Sequence, residues 1–269
     1  MQRKSGRREA RGRRASDALL LALGLVVGGQ VVPLRAAAQV GGTPVAVHLL
    51  RTLSTTDTLI PVGDLPLSVH PAPAGPLLAV LLTGDGGWAA GDKSMAAAFV
   101  RRNVAVVGLS SPAYLQHERT PDEAGRDLTR ILRHFLDAWH RERAIIVGYS
   151  RGADIGPFMM SRLPADLRGR VALTALLGPG EWASFSFKLT DLGRDHEVDK
   201  RFPVNDEVAK LRGTSVLCIY SLKDRGAICP ALDQAGLARA VVRMGGHRVG
   251  GNEGPALVDT ILTALPKSN

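Results

Sequence analysis

RAIIVGYSRGADIG, residues 143–156, decides how the rest of the chain is read. Arg143–Tyr149 is a short, continuous apolar run, the composition of a strand buried on both faces. Gly152–Leu163 then has the composition of a helix. Between them, Gly148-Tyr149-Ser150-Arg151-Gly152 spells G-x-S-x-G. In a strand–turn–helix setting this pattern makes a turn so tight that the residues two before and two after the serine must be small. The serine hydroxyl is then lifted above the end of the sheet. The helix N-terminus behind it favours negative charge at that point.

The same alternation continues on both sides. Leu77–Thr83 and Val104–Leu109 precede it as buried strands, with a helix over Lys93–Asn103 between them. Thr120-Pro121-Asp122-Glu123 is a helix start, and Leu128, Ile131, Leu132 and Phe135 continue it as one apolar stripe. Strands follow at Val171–Leu177, Ser215–Tyr220 and Arg239–Met244, and a last helix at Pro255–Leu265. Residues 39–76 read as one to three short strands and a Pro-rich linker. Apolar strands alternating with amphipathic helices imply a mostly parallel sheet of about eight strands with helices on both faces. The core is expected over 77–269 as one domain. Glu181–Leu211 breaks the rhythm, and a long irregular segment of this kind is usually functional.

The serine needs a base. In the α/β-hydrolase fold, which this pattern predicts, the partners follow the nucleophile in the order acid, then histidine. Only His196 and His247 come after Ser150. His247 follows the last core strand, where a general base belongs, whereas His196 lies among charges in the irregular segment. Asp224, in the loop after the preceding strand, is the first choice of acid, with Asp233 and Glu253 as the other candidates. The oxyanion donors are expected to be the backbone N–H groups of Arg151 and of Asp85, the latter within the glycine-rich Thr83-Gly84-Asp85-Gly86-Gly87-Trp88. That loop is not a phosphate loop, because no G-x-x-x-x-G-K-[ST] is present. No metal or other cofactor is called for: the histidines lack ligand spacing, and His134 and His140 are six apart.

The formal charge of +9 on 269 residues looks at first like a nucleic-acid signal. Residues 1–38, however, hold eight Lys or Arg and two acids, so two thirds of that charge precedes the core. Aromatic residues are only 4%, poor material for stacking bases. Nucleic acid is therefore not an expected partner. The basic run Arg3–Arg14, the apolar stretch Ala18–Gly29 and Ala36-Ala37-Ala38 form the three parts of a secretory signal, residues 1–38. Export to an oxidising compartment makes Cys218 and Cys229, the two cysteines, candidates for a disulfide bracing the Asp224 loop; two buried thiols are the alternative.

Taken together, GDGGW (84–88), GYSRGAD (148–154), LCIYSLKD (217–224) with Cys229-Pro230, and GGH (245–247) resemble the bacterial VirJ family, the AcvB/VirJ C-terminal domain. The resemblance covers about residues 77–265. It implies an exported, periplasmic α/β-hydrolase with Ser150, Asp224 and His247 as its triad, linked to virulence-associated secretion. AcvB-like members are lysyl-phosphatidylglycerol hydrolases, which implies an aminoacyl ester of a phospholipid as substrate and peripheral contact with the membrane. Trp88, Asp154 and Glu181 are candidates for meeting that substrate, although short acids at helix starts also serve as caps. The chain departs from the family at Arg151, where members carry an aromatic residue, and at Arg248-Val249, where they carry a histidine or an aromatic. The FSF string (185–187) also lacks an acid. A generic carboxylesterase is one rival. A non-catalytic binding protein assisting secretion-system proteins is the other.

Overall fold

A computed structural model describes residues 62–188 and 202–267. The predicted signal, the strand segments at 45–50 and 55–61, and His196 lie outside the described residues. The sheet is built from β1 (Leu67–His70), β2 (Leu77–Leu82), β3 (Ala105–Leu109), β4 (Arg143–Tyr149), β5 (Val171–Leu177), β6 (Val216–Ser221) and β7 (Arg239–Arg243). Its order is β1-β3-β2-β4-β5-β6-β7. β1 runs antiparallel to β3, and every other pairing is parallel. Among the described residues there are thus seven strands rather than about eight. Of the region expected to supply one to three strands ahead of Leu77, only β1 falls within the described part.

The alternation of strand side chains explains why both faces are covered. In β2, Leu78, Val80 and Leu82 join one core and Ala79 and Leu81 the other; in β4, Ile146 and Ile145 divide in the same way. The first core is closed by α3 (Pro121–Ala138) and α4 (Arg151–Ser161) through Leu128, Ile131, Leu132, Ile155 and Met159. The second is closed by α1 (Ala90–Val100) and α8 (Gly254–Thr263) through Met95, Phe99, Leu257 and Ile261. Each such side chain contributes about 1.5–3 kcal/mol when taken from water.

The helix starts follow local chemistry. The Thr120 hydroxyl accepts from Glu123 N at 3.2 Å, and the Glu123 carboxylate accepts from Thr120 N at 2.7 Å. α1 begins three residues before the expected Lys93, because the Asp92 carboxylate accepts from Ala89 N and supplies the missing first-turn acceptor. Three short helices had no clear sequence signal: α2 (Ser111–Tyr114), α5 (Ala165–Arg170) and α7 (Cys229–Gln234). Each is too short to show a helical period.

The irregular segment is partly core. Phe185 and Phe187 are buried, and Phe185 packs edge-on against Phe158 and Phe202. Phe187 N donates to Leu115 O at 2.8 Å, and Val204 N, opening α6 (Val204–Ala209), donates to Glu181 O at 2.9 Å.

Cys218, in the middle of β6, is joined by a disulfide to Cys229 at the start of α7, with both sulfurs buried. The bridge closes the loop that carries Asp224. Replacing both cysteines by alanine should lower the unfolding free energy by about 2–4 kcal/mol, because a short loop loses its closure constraint in the unfolded chain. Urea titration of wild type and double variant under non-reducing conditions measures this.

Candidate active site

The site rests on one strained residue. Ser150 sits at φ 51°, ψ −120°, a positive φ that non-glycine residues rarely take and that costs on the order of 1–3 kcal/mol. Its N–H donates to Leu177 O at 2.8 Å, which anchors the turn to β5. The flanking glycines have no room for a side chain. A Cβ on Gly148 would lie 2.4 Å from Gly152 O, and one on Gly152 would lie 2.1 Å from Leu82 O. The G-x-S-x-G spacing is therefore a packing requirement of this turn.

Ser150 Oγ lies 2.8 Å from His247 Nε2, and His247 Nδ1 lies 2.5 Å from Asp224 Oδ2. The three residues come from the ends of β4, β6 and β7, so the parallel sheet brings them to one edge. The other candidate acids are engaged elsewhere. Asp233 accepts from Ala240 N at 3.0 Å, and Glu253 pairs with Arg243 at 2.7 Å while accepting from Gly250 N at 2.8 Å.

Several residues that sequence reasoning passed over hold this arrangement. Ser221 Oγ donates to Gly245 O at 2.5 Å, tying the acid-bearing and histidine-bearing loops together. Gly178, at φ 61°, lies under the imidazole: a Cβ there would be 3.1 Å from His247 Nδ1 and 3.2 Å from Asp224 Oδ2. Arg243, at the end of β7, gathers the carbonyls of the histidine loop. Its guanidinium donates to Met244 O at 3.2 Å, His247 O at 2.8 Å, Arg248 O at 3.2 Å and also Gly246 O, while Glu253 balances its charge. Tyr149 Oη donates to His247 O at 3.3 Å and accepts from Val249 N at 3.2 Å.

A pocket of about 480 Å³ opens on Ser150 and His247, walled by the glycine-rich loop from Gly84 to Gly87 and by Asp92, Tyr149, Arg248 and Val249. Arg151 N and Asp85 N have no acceptor among the described residues. The Arg151 side chain turns to an ion pair with Asp85 and lies over the Phe187 ring, 5.4 Å from its centroid.

A family model described as bacterial virulence protein (VirJ) matches residues 76–269. The chain belongs to the VirJ family. The VirJ match starts one residue before β2 and so contains Ser150, Asp224 and His247. A comparison with curated proteins gave no match. Among solved structures, the VirJ chain is similar to Est1E from Butyrivibrio proteoclasticus, at 13% identity and a TM-score of 0.53 over 76% of this chain and 97% of that one. TT1662 from Thermus thermophilus is similar at 14% identity and a TM-score of 0.53, over 76% and 95%. The thioesterase domain from the curacin biosynthetic pathway is similar at 12% identity and a TM-score of 0.51, over 73% and 94%. At these identities the likeness is one of fold: the VirJ chain has the α/β-hydrolase architecture.

Three residues expected to meet substrate are placed away from this VirJ pocket. The Trp88 ring stacks on His70 at 5.2 Å and fills the space over Gly108, where a Cβ would lie 2.1 Å from it. Glu181 is exposed beyond β5, where its carbonyl caps the approach to α6. Asp154 lies in the first turn of α4 and accepts from Gly180 N at 2.7 Å, bracing the loop that carries Gly178. Asp92, which sequence reasoning did not single out, lines the pocket instead; burial pushes its carboxyl up to about 6. Its only signal was an acid just before the expected helix start at Lys93, which reads as a cap.

Burial pushes the Asp154 carboxyl up from 3.8 to about 7, against the opposing hydrogen bond from Gly180 and the charge of Arg151; Asp85 and Asp224 add repulsion. A raised carboxyl favours the folded state most when both states are protonated, below about 3.8, and that advantage is lost as pH rises through about 7. Asp154→Asn keeps the acceptor for Gly180 and cannot ionise. Thermal or urea unfolding should show the variant gaining on wild type between pH 4 and pH 7, by roughly 2–4 kcal/mol, with no further change above pH 8.

Proposed function

We propose that this VirJ-family chain is an exported serine hydrolase that cleaves an ester, with an aminoacyl ester of a membrane phospholipid as substrate. The observation that carries this reading is the continuous hydrogen-bonded line from Ser150 Oγ through His247 to Asp224, at 2.8 Å and 2.5 Å, at the mouth of a pocket. In the proposed reaction Ser150 Oγ attacks the ester carbonyl carbon while His247 Nε2 takes the hydroxyl proton. The carbonyl oxygen becomes an oxyanion held by the N–H groups of Asp85 and Arg151. Collapse breaks the bond to the leaving alcohol, which takes the proton from Nε2. Water then adds to the acyl-serine as His247 Nε2 takes its proton; collapse breaks the bond to Ser150 Oγ, which takes that proton from Nε2, and the free acid departs. Asp224 accepts from Nδ1–H and fixes the tautomer.

The electrostatics support a substrate carrying an ammonium group. Arg151 would oppose a cation if free, but its charge is matched by Asp85. The pocket lining then presents the carboxylates of Asp85 and Asp92, together with the cation Arg248 beside His247. Export to the periplasm is part of the proposal, and the Cys218–Cys229 bridge supports it, since disulfides persist in oxidising compartments.

Wild type and Ser150→Ala would be incubated with lysyl-phosphatidylglycerol vesicles and free lysine followed by mass spectrometry. Release by wild type, falling by about 10³-fold or more in the variant, is expected. Labelling of Ser150 by a fluorophosphonate without lysine release would keep the hydrolase and remove the lipid. Neither release nor labelling would replace the enzyme with a binding protein of the secretion machinery.

Arg243→Gln should separate kcat from KM. Arg243 does not line the pocket, and its guanidinium acts by holding backbone carbonyls of the His247 loop. With the general base misplaced, kcat is expected to fall about 10–100-fold with KM little changed, and serine labelling to slow in parallel. Arg243→Lys, which keeps the charge without the planar fork, should recover only part of the rate.

A further inference from the structure

Four large apolar side chains are exposed among the described residues: Val69, Leu222, Val242 and Met244. Three of them share one place. Ser221 pairs with Arg243 in the β6–β7 register, so Leu222 and Met244 come next on neighbouring strand ends, 75% and 89% exposed. Val242 stands just behind them on the edge strand β7. The hydrogen bond from Ser221 Oγ to Gly245 O holds the two ends together. The place is fixed to the rim of the cleft, because Leu222 is two residues before Asp224 and Met244 three before His247.

The surrounding charge has one sign. Lys223 and Arg225 are exposed, as is Arg248, which also lines the pocket, and none has an acidic partner within ion-pair distance among the described residues. The nearby acids are turned away: Asp224 faces His247, Glu253 pairs with Arg243, and Asp233 bonds at the far end of β7. Single exposed apolar residues are ordinary on protein surfaces, but a cluster of them ringed by cations marks an interaction surface. Nucleic acid would be met by the cations alone. An anionic bilayer is met by both components, with apolar tips among the headgroups and cations against the phosphates.

We propose that the ends of β6 and β7 dock on an anionic phospholipid surface, with Leu222 and Met244 entering the headgroup layer and Lys223, Arg225 and Arg248 lying against lipid phosphates. Docking places the His247 side of the cleft at the membrane. It requires no turnover and so stands independently of the hydrolase reading.

The chain has two cysteines, and they are joined to each other, so one introduced thiol labels alone. Met244→Cys in the full chain, carrying a polarity-sensitive nitrobenzoxadiazole dye, would be titrated with vesicles of roughly one-third phosphatidylglycerol in phosphatidylcholine, comparable to an anionic leaflet. Val69→Cys, on β1 at the opposite edge of the sheet, is the control. The expected result is a blue shift at 244 and none at 69, reversed by salt. Lys223→Glu with Arg225→Glu in the labelled chain should weaken binding about tenfold or more, since each cation near such a surface contributes about fivefold. Leu222→Ser should weaken it as well, with the fold checked by circular dichroism. No response at 244, or an equal response at 69, would overturn the proposal. So would a shift in pure phosphatidylcholine that charge reversal leaves unchanged, a shift driven by duplex DNA in place of vesicles, or one driven by protein concentration alone. The last would mean that β7 pairs with a second copy.

Discussion

Everything at the site depends on the turn at Ser150, where a non-glycine residue is held at positive φ between β4 and α4. A strained residue persists only where its surroundings leave it no alternative. Here the N–H of Ser150 is bonded to Leu177 O, and Gly148 and Gly152 are pressed against backbone with no space for a Cβ. The turn is thus fixed by β5 on one side and β2 on the other, both buried in the middle of the sheet. The cost of the strain falls on the core, which is large and close-packed on both faces.

The same sheet carries the other two members. Parallel strands all end at one edge, so residues just beyond β6 and β7 come beside a residue just beyond β4 without a long-range search. Coming to the same edge is not enough for a hydrogen-bonded line of three side chains. The precision comes from a second layer: Arg243 collecting the carbonyls of the histidine loop, Ser221 joining that loop to the acid's loop, and Gly178 leaving room beneath the ring. The disulfide closes the far side of the acid's loop by fixing α7 to β6.

How much of this could be read in the sequence follows from the range of each interaction. The strands were legible because a continuous apolar run is a local signal. So was the elbow, because Gly148, Ser150 and Gly152 are neighbours in the chain. Asp224 and His247 were legible only as the acid and histidine following strands in a known order. What was hidden depends on contacts across the fold. Nothing in the sequence sets Arg243 apart within its strand, and only the curl of the following loop brings four carbonyls around it. Trp88 looked like a wall of the pocket, yet the absence of a side chain at Gly108 draws its ring over the sheet instead. Asp154 was ambiguous for one reason. An acid in a helix's first turn caps it in either case, and whether it also faces a pocket depends on how the next loop folds back.

The Arg151–Asp85 pair shows why local charge is a poor guide to what a cleft accepts. Read alone, an arginine after the serine argues for an anionic ligand. In the folded chain its guanidinium is held by Asp85 from one side and by the face of Phe187 from the other, and only 13% of its side chain is exposed. Asp85, at 41%, remains the more accessible partner. An ion pair in which the cation is covered and the anion faces solvent presents negative potential to an arriving group, although its net charge is zero. Asp92 lies on the same wall and Arg248 lines the pocket beside His247, so the cleft presents charge of both signs. Lys223 and Arg225 are exposed and do not line it.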